Sequence, residues 1–107
     1  MKLLSRSEEL ILLAVWRLQD DAYGVQIRKH LAEVTGEDWA IGSVYVPLDR
    51  MTKRRLLRSY QGAPTAERGG RSKRYYELTP KGVAALQEVQ RVQHAMWASF
   101  PNLALDT

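Results

Sequence analysis

The chain has 107 residues, no cysteine and a formal net charge of +4. That length predicts one domain, which buries well over half of its unfolded surface and needs no covalent staples. The lack of cysteine excludes a disulfide framework and Cys-ligated zinc, and it suits a reducing cytoplasm.

The first helix is predicted to open near Ser5, because Ser5-x-x-Glu8 has the form of a capping box, with Ser7 as a competing cap. "ELILLAVWRL" follows and is apolar on more than one face. This suits a helix buried on two sides, one toward its own core and the other free for a second subunit. Asp20-Asp21 is expected to stop this helix and cap the next. In "AYGVQIRKHLAEV", Ile27, Leu31 and Val34 recur at i, i+4 and i+7 as a core stripe. Gly24, near the start of that helix, is about 1 kcal/mol worse than alanine in a helix interior. Close packing of another backbone would explain it. "TGEDW" reads as a loop and "WAI" as a candidate short strand.

Ser43 is expected to cap a third helix, "VYVPLDRMTKR", with Pro47 in or just after its first turn, where the missing N–H matters least. Val44, Leu48 and Met51 share one face. At about 100° per residue, Val46, Asp49, Arg50 and Lys53 point the other way. "LLRSYQ" and "RSKRYYEL" alternate as strands around the Gly/Pro-rich loop "GAPTAERGG". In this hairpin tyrosine and leucine would anchor the base while the cations reach outward. Thr79-Pro80 is a helix start, with Thr79 as N-cap and Pro80 at the first helical position. The last helix carries a stripe of Leu86, Val89, Val92, Met96 and Phe100, with Trp97 at its edge. A long stripe at a chain end favours a second copy of the chain as its partner.

Charge is concentrated in the middle of the chain. From Gly42 to Tyr75 there are nine cations against Asp49 and Glu67, a local charge of +7 in a chain of +4. A basic third in an otherwise slightly acidic domain is the one-dimensional image of a polyanion-binding face, against the plainer reading of a solvated surface. His30 and His94 lie far apart without ligand spacing, so no metal and no cofactor is expected. The longest apolar run, "LILLAVW", falls far short of the roughly 18 residues of a membrane span, and the N-terminus lacks a signal-peptide core. A soluble, cytoplasmic protein without a membrane partner is expected.

Helix, helix, short strand, helix and a basic hairpin make a mainly α, α+β arrangement: the winged helix-turn-helix over residues 1–79, with a dimerisation helix and tail over 80–107. In that fold the third helix enters the major groove and the wing straddles the backbone. Val46, Arg50 and Lys53 are then groove residues, or else solvated helix positions. Asp49 either accepts from a cytosine amino group or pairs with Lys53 at i,i+4. Arg68, Arg71, Lys73 and Arg74 are phosphate contacts, which position without specifying. Arg54 and Arg58 flank them or stay on the plain surface. Tyr75 and Tyr76 read as hairpin core. Trp97 either packs at a dimer seam or floors a pocket for a planar ligand. No nucleophile, phosphate loop or metal motif supports an enzyme. The competing class is a winged helix that docks an acidic protein through its wing. RNA is disfavoured because the third helix lacks a stacking platform.

"AYGVQIRKHL", "GSVYVPLDRM" and "GGRSKRYYELTPKG" resemble the PadR family of bacterial transcriptional regulators, from about Leu10 to Gly82 and on into a single C-terminal helix. Tyr23-Gly24, Gly42-x-x-Tyr45 and Arg74-Tyr-Tyr-x-Leu-Thr-x-x-Gly82 keep the family's order and spacing. The resemblance implies a homodimer joined largely by the last helix, repressing transcription from a palindromic duplex operator, with small aromatic effectors as the family's usual signals. It implies DNA contacts at Tyr23, Ser43, Tyr45 and the wing cations. The chain departs from the family at Arg55, where glycine is usual, and at Pro47, one residue later than the usual proline. An Arg55 in the left-handed region would cost about 1 kcal/mol.

Overall fold

The computed structural model describes residues 2–62 and 73–101. Helix α1 spans Arg6–Leu18 and opens as its sequence dictates. The Ser5 hydroxyl accepts from the Glu8 N–H at 3.1 Å, and the Glu8 carboxylate accepts from the Ser5 N–H at 2.8 Å. Ile11, Leu12 and Val15 are fully buried, and α1 packs against the next two helices, the last helix and the second strand. A short 3₁₀ turn, Gln19–Asp21, follows.

Helix α2 spans Gly24–Thr35, with Tyr23 at its cap position and no side-chain cap. Asp21 therefore does not cap it; its carboxylate instead accepts from Gln26 at 2.8 Å. The cause is long-range. Ala22 turns tightly and Tyr23 is held extended against the hairpin, where the Ala22 carbonyl accepts the Tyr76 N–H at 2.9 Å and Tyr23 bridges Tyr75. The helix cannot begin until that pairing ends. Gly24 thus stands at the first helical position rather than in an interior. Ile27 and Leu31 are buried as expected, but Val34 is exposed, along with everything from Glu33 to the left-handed Gly36 that closes α2.

The expected strand at Trp39–Ile41 is absent. Trp39 and Ala40 are irregular, and Ile41 already begins α3, Ile41–Lys53. Side chains of α2 satisfy this loop in place of a ladder. The Trp39 carbonyl accepts from Arg28 at 2.6 Å, and the Trp39 indole donates to Thr35 at 3.1 Å. The third segment beside the hairpin is Ala22–Tyr23, not Trp39–Ile41. Ala40, not Ser43, holds the cap position of α3, and Ser43 lies within the first turn. Pro47 consequently falls inside the helix and withholds the N–H that the Ser43 carbonyl would otherwise receive. Val44, Leu48 and Met51 are fully buried.

Helix α3 ends in a Schellman motif. The Leu56 N–H reaches the Met51 carbonyl at 2.9 Å, and the Arg55 N–H reaches Thr52 at 3.0 Å. Arg55 takes the left-handed position at φ 65°. Strands β1, Leu57–Gln61, and β2, Arg74–Leu78, pair antiparallel with Leu57 opposite Leu78 and Gln61 opposite Arg74.

Helix α4, Pro80–Trp97, starts at Thr79, whose hydroxyl accepts the Gly82 N–H at 3.0 Å, with Pro80 at the first position. The same hydroxyl donates to the Arg55 carbonyl at 2.6 Å, so the end of α3 and the start of α4 are joined. A Cβ on Gly82 would overlap the Leu56 carbonyl oxygen, which explains the glycine. Along α4, Val89 is 5% exposed within its own chain, and Leu86 packs against the core. Met96 and Trp97 are 78% and 63% exposed. Phe100 lies beyond the helix end, where Ser99 at φ 69° turns the chain and the Phe100 ring meets Trp97 edge-on at 5.1 Å. The radius of gyration, 16.2 Å, exceeds the roughly 13 Å of a compact chain of this length. The distal turns of α4 stand off the body.

Candidate nucleic-acid interface

Tyr45 decides how α2 and α3 meet. Its ring and hydroxyl lie where a Cβ of Gly24 would be, so a side chain, not a backbone, requires this glycine. On the far side of the joint stands the hairpin base. Tyr23 meets Tyr75 edge-on at 5.5 Å, and Tyr75 stacks on Tyr60 at 5.7 Å. The ammonium of Lys73 lies 4.1 Å above the Tyr23 ring, and the Arg58 guanidinium lies 5.6 Å from the Tyr60 ring. Arg58 also pairs with Glu77, its cross-strand neighbour. The tyrosines thus fasten the hairpin to the start of α2, with the Lys73 ammonium lying over the Tyr23 ring. Tyr76 faces inward. Burial raises its phenol above the usual value near 10, against the pull of Arg74, so it stays neutral.

Tyr23, Gly24, Tyr45, Asp49, Lys73 and Arg74 border one open cleft of about 440 Å³ between α2, α3 and the hairpin base. Four residues expected at the site, Tyr23, Tyr45, Lys73 and Arg74, are therefore brought together. Val46, Arg50 and Lys53 continue along the exposed side of α3, and Ser43 is exposed in its first turn. Arg68 and Arg71 lie outside the described residues. Lys53 pairs with Asp49 at 3.1 Å, the i,i+4 alternative that the sequence offered.

Arg54 sits apart from the cleft. It is half-buried and lies 3.3 Å from the Glu8 carboxylate, which also has Arg50 at 3.8 Å. Glu8 is the buried charged residue that the sequence reading missed in this role. Its capping function was visible, but its partners come from a helix about forty residues away. Lys29 and Ile41 were also missed. With Val25 and Tyr45 they border a second open hollow, of about 620 Å³, between α2 and the start of α3. Among the described residues, no helix is long and apolar enough to cross a membrane.

The sequence profile described as the transcriptional regulator PadR-like family matches residues 12–88. Among solved structures, a PadR family transcription regulator from Clostridium difficile is 26% identical, with a TM-score of 0.67 over 88% of this chain and 92% of that one. A PadR-like transcriptional regulator from Bacillus cereus is 25% identical, with a TM-score of 0.72 over 94% of this chain and 92% of that one. No curated protein matches. A mainly helical fold with a two-stranded wing agrees with these neighbours, and with a family match that spans α1 to α4, this chain belongs to the PadR-like family of transcriptional regulators.

Proposed function

We propose that this protein is a repressor that binds a palindromic duplex operator as a homodimer and is released by a small aromatic effector. Residues 1–79 read the DNA, and residues 80–107 join the subunits. The observation that carries the reading is the convergence of Tyr23, Tyr45, Lys73 and Arg74 on one cleft beside the exposed face of α3. Lys73 and Arg74 act as phosphate clamps, while α3 lies in the major groove with Arg50 and Lys53 as its cationic flank.

The dimer reading is supported by the apolar surface that one chain leaves open. Leu13 and Trp16 on α1 and Val83 and Leu86 on α4 border a groove of about 380 Å³, and Met96, Trp97 and Phe100 are exposed beyond it. Val89 is already covered by its own chain, so the seam is assigned to Leu86, Val92, Met96, Trp97 and Phe100, together with α1. Trp97 and Trp16 are the ring systems available to a planar effector there.

The test is duplex binding as a function of salt. Lys73→Ala with Arg74→Ala should weaken binding to the selected operator and to random duplex alike. It should lower the slope of log affinity against log salt by about 0.9 for each lost phosphate contact. Unchanged affinity, or tight binding to an acidic polypeptide with none to duplex, would overturn this reading.

A further inference from the structure

The exposed side of α3 carries its cations toward its C-terminal end, each beside a carboxylate. Lys53 is engaged by Asp49 at 3.1 Å, and Arg50 leans toward Glu8 at 3.8 Å. N-terminal to them, beside the exposed Ser43, the helix leaves two apolar side chains open. Val46 is 58% exposed, and Ile41, in the first turn, is 60% exposed. At about 100° per residue, Gly42, Val46, Asp49 and Lys53 form one line down the helix. Gly42 heads that line, and a Cβ built on it would meet nothing within 4 Å. Its φ is not in the left-handed region. Neither space nor backbone conformation within the chain requires glycine there. The bare backbone of this first turn is therefore open to a partner that comes close to the helix.

In the major groove, the apolar group that a base presents is the C5-methyl of thymine, and valine-sized side chains are suited to it. The N-terminal part of a recognition helix is also the part that meets base edges. We infer that α3 identifies its operator through thymine C5-methyl groups seated on Val46 and on the bare backbone at Gly42, rather than through a cation–guanine pair. Arg50, Lys53, Lys73 and Arg74 then hold the helix in the groove by phosphate attraction, and the methyl contacts set the register. This inference rests on the DNA-reading function proposed above.

The experiment replaces each thymine of an operator selected from a random duplex library with deoxyuridine, which removes only the methyl group. It compares the unmodified protein with Val46→Ala, a change on an exposed side chain that leaves the core untouched. For the unmodified protein, one or two positions per half-site should lose about fourfold in affinity, the value of one buried methyl-sized group. Val46→Ala should bind the all-thymine operator correspondingly more weakly and be indifferent to deoxyuridine at one of those positions, with affinity for random duplex unchanged. Gly42→Ala should melt no lower than the unmodified protein yet lose operator affinity. If deoxyuridine at every position leaves a specific complex intact, the methyl readout is overturned while DNA reading stands. If Val46→Ala keeps the full deoxyuridine penalty, the assignment to Val46 is overturned. If no duplex is bound at all, the DNA-reading function itself fails.

Discussion

The Glu8 carboxylate lies 3.3 Å from the Arg54 guanidinium, although 46 residues separate them. One buried side chain therefore caps α1, and it also ties α1 to the C-terminal end of α3. Glutamine at this position can still serve the capping box, because an amide oxygen accepts the same N–H. It cannot hold two cations. Glu8→Gln should lower stability by about 1 kcal/mol, a figure discounted for the partial exposure of Arg54 and Arg50. The loss should appear as a lower melting temperature. Released from Glu8, the two arginines should steepen the salt dependence of duplex binding.

Arg55 occupies the left-handed position of the Schellman motif that ends α3. Arg55→Gly removes the Cβ that this conformation disfavours and should raise stability by about 1 kcal/mol. A urea titration with an unchanged slope and a later midpoint would show it. No gain would mean that the Arg55 side chain contributes as much as its backbone strain removes.

Gly24→Ala places a methyl group inside the Tyr45 ring. Overpacking of this kind typically destabilises by about 1–3 kcal/mol. It should also displace Tyr45 from the cleft and weaken binding to any duplex. Adding Tyr45→Ala to Gly24→Ala should restore most of the lost stability but not the binding. A double mutant no more stable than Gly24→Ala would locate the conflict elsewhere.

Met96→Asp with Trp97→Asp tests the seam without touching the core, because both side chains are exposed in the single chain. The expected product is a folded monomer by light scattering, with normal helical content and little affinity for a palindromic site. Val89→Asp is unsuitable for this purpose. It would bury a charge inside the chain's own core and unfold the monomer. A dimer that persists in the Met96/Trp97 variant would move the seam to the groove of Leu13 and Trp16.

Features legible in the sequence were those set by neighbours in the chain. Ser5 with Glu8 and Thr79 with Pro80 start their helices as read, since a cap needs only residues within one turn. Val44, Leu48 and Met51 are buried because helical periodicity is local. The errors occur where distant segments compete. Asp21 loses the cap of α2 because β2 engages the Ala22 carbonyl and pairs with Tyr23. Trp39–Ile41 looks strand-like, but Arg28 and Thr35 already satisfy its polar groups. Ser43 is a good cap by type, yet α3 starts three residues earlier than that cap would set, with Ala40 at the cap position, which leaves Pro47 inside the helix. At the site, residue types pointed correctly to the side of α3 that faces outward. The engagement of Arg54 by Glu8 was invisible, because nothing near either residue encodes the other.

The joint at Thr79 makes the molecule a lever. Its hydroxyl holds the Arg55 carbonyl, its N–H reaches the Leu56 carbonyl at 3.2 Å, and Lys81 holds the Arg54 carbonyl at 3.1 Å. The end of α3 is thereby clamped to the root of α4, with Gly82 allowing the close contact. The 18 residues of α4 form an arm about 27 Å long. In the proposed dimer, a tilt of only about 5° where two such arms cross would carry each α3 through roughly 2 Å. In that dimer, a ligand wedged between the arms would shift both α3 helices without approaching either of them.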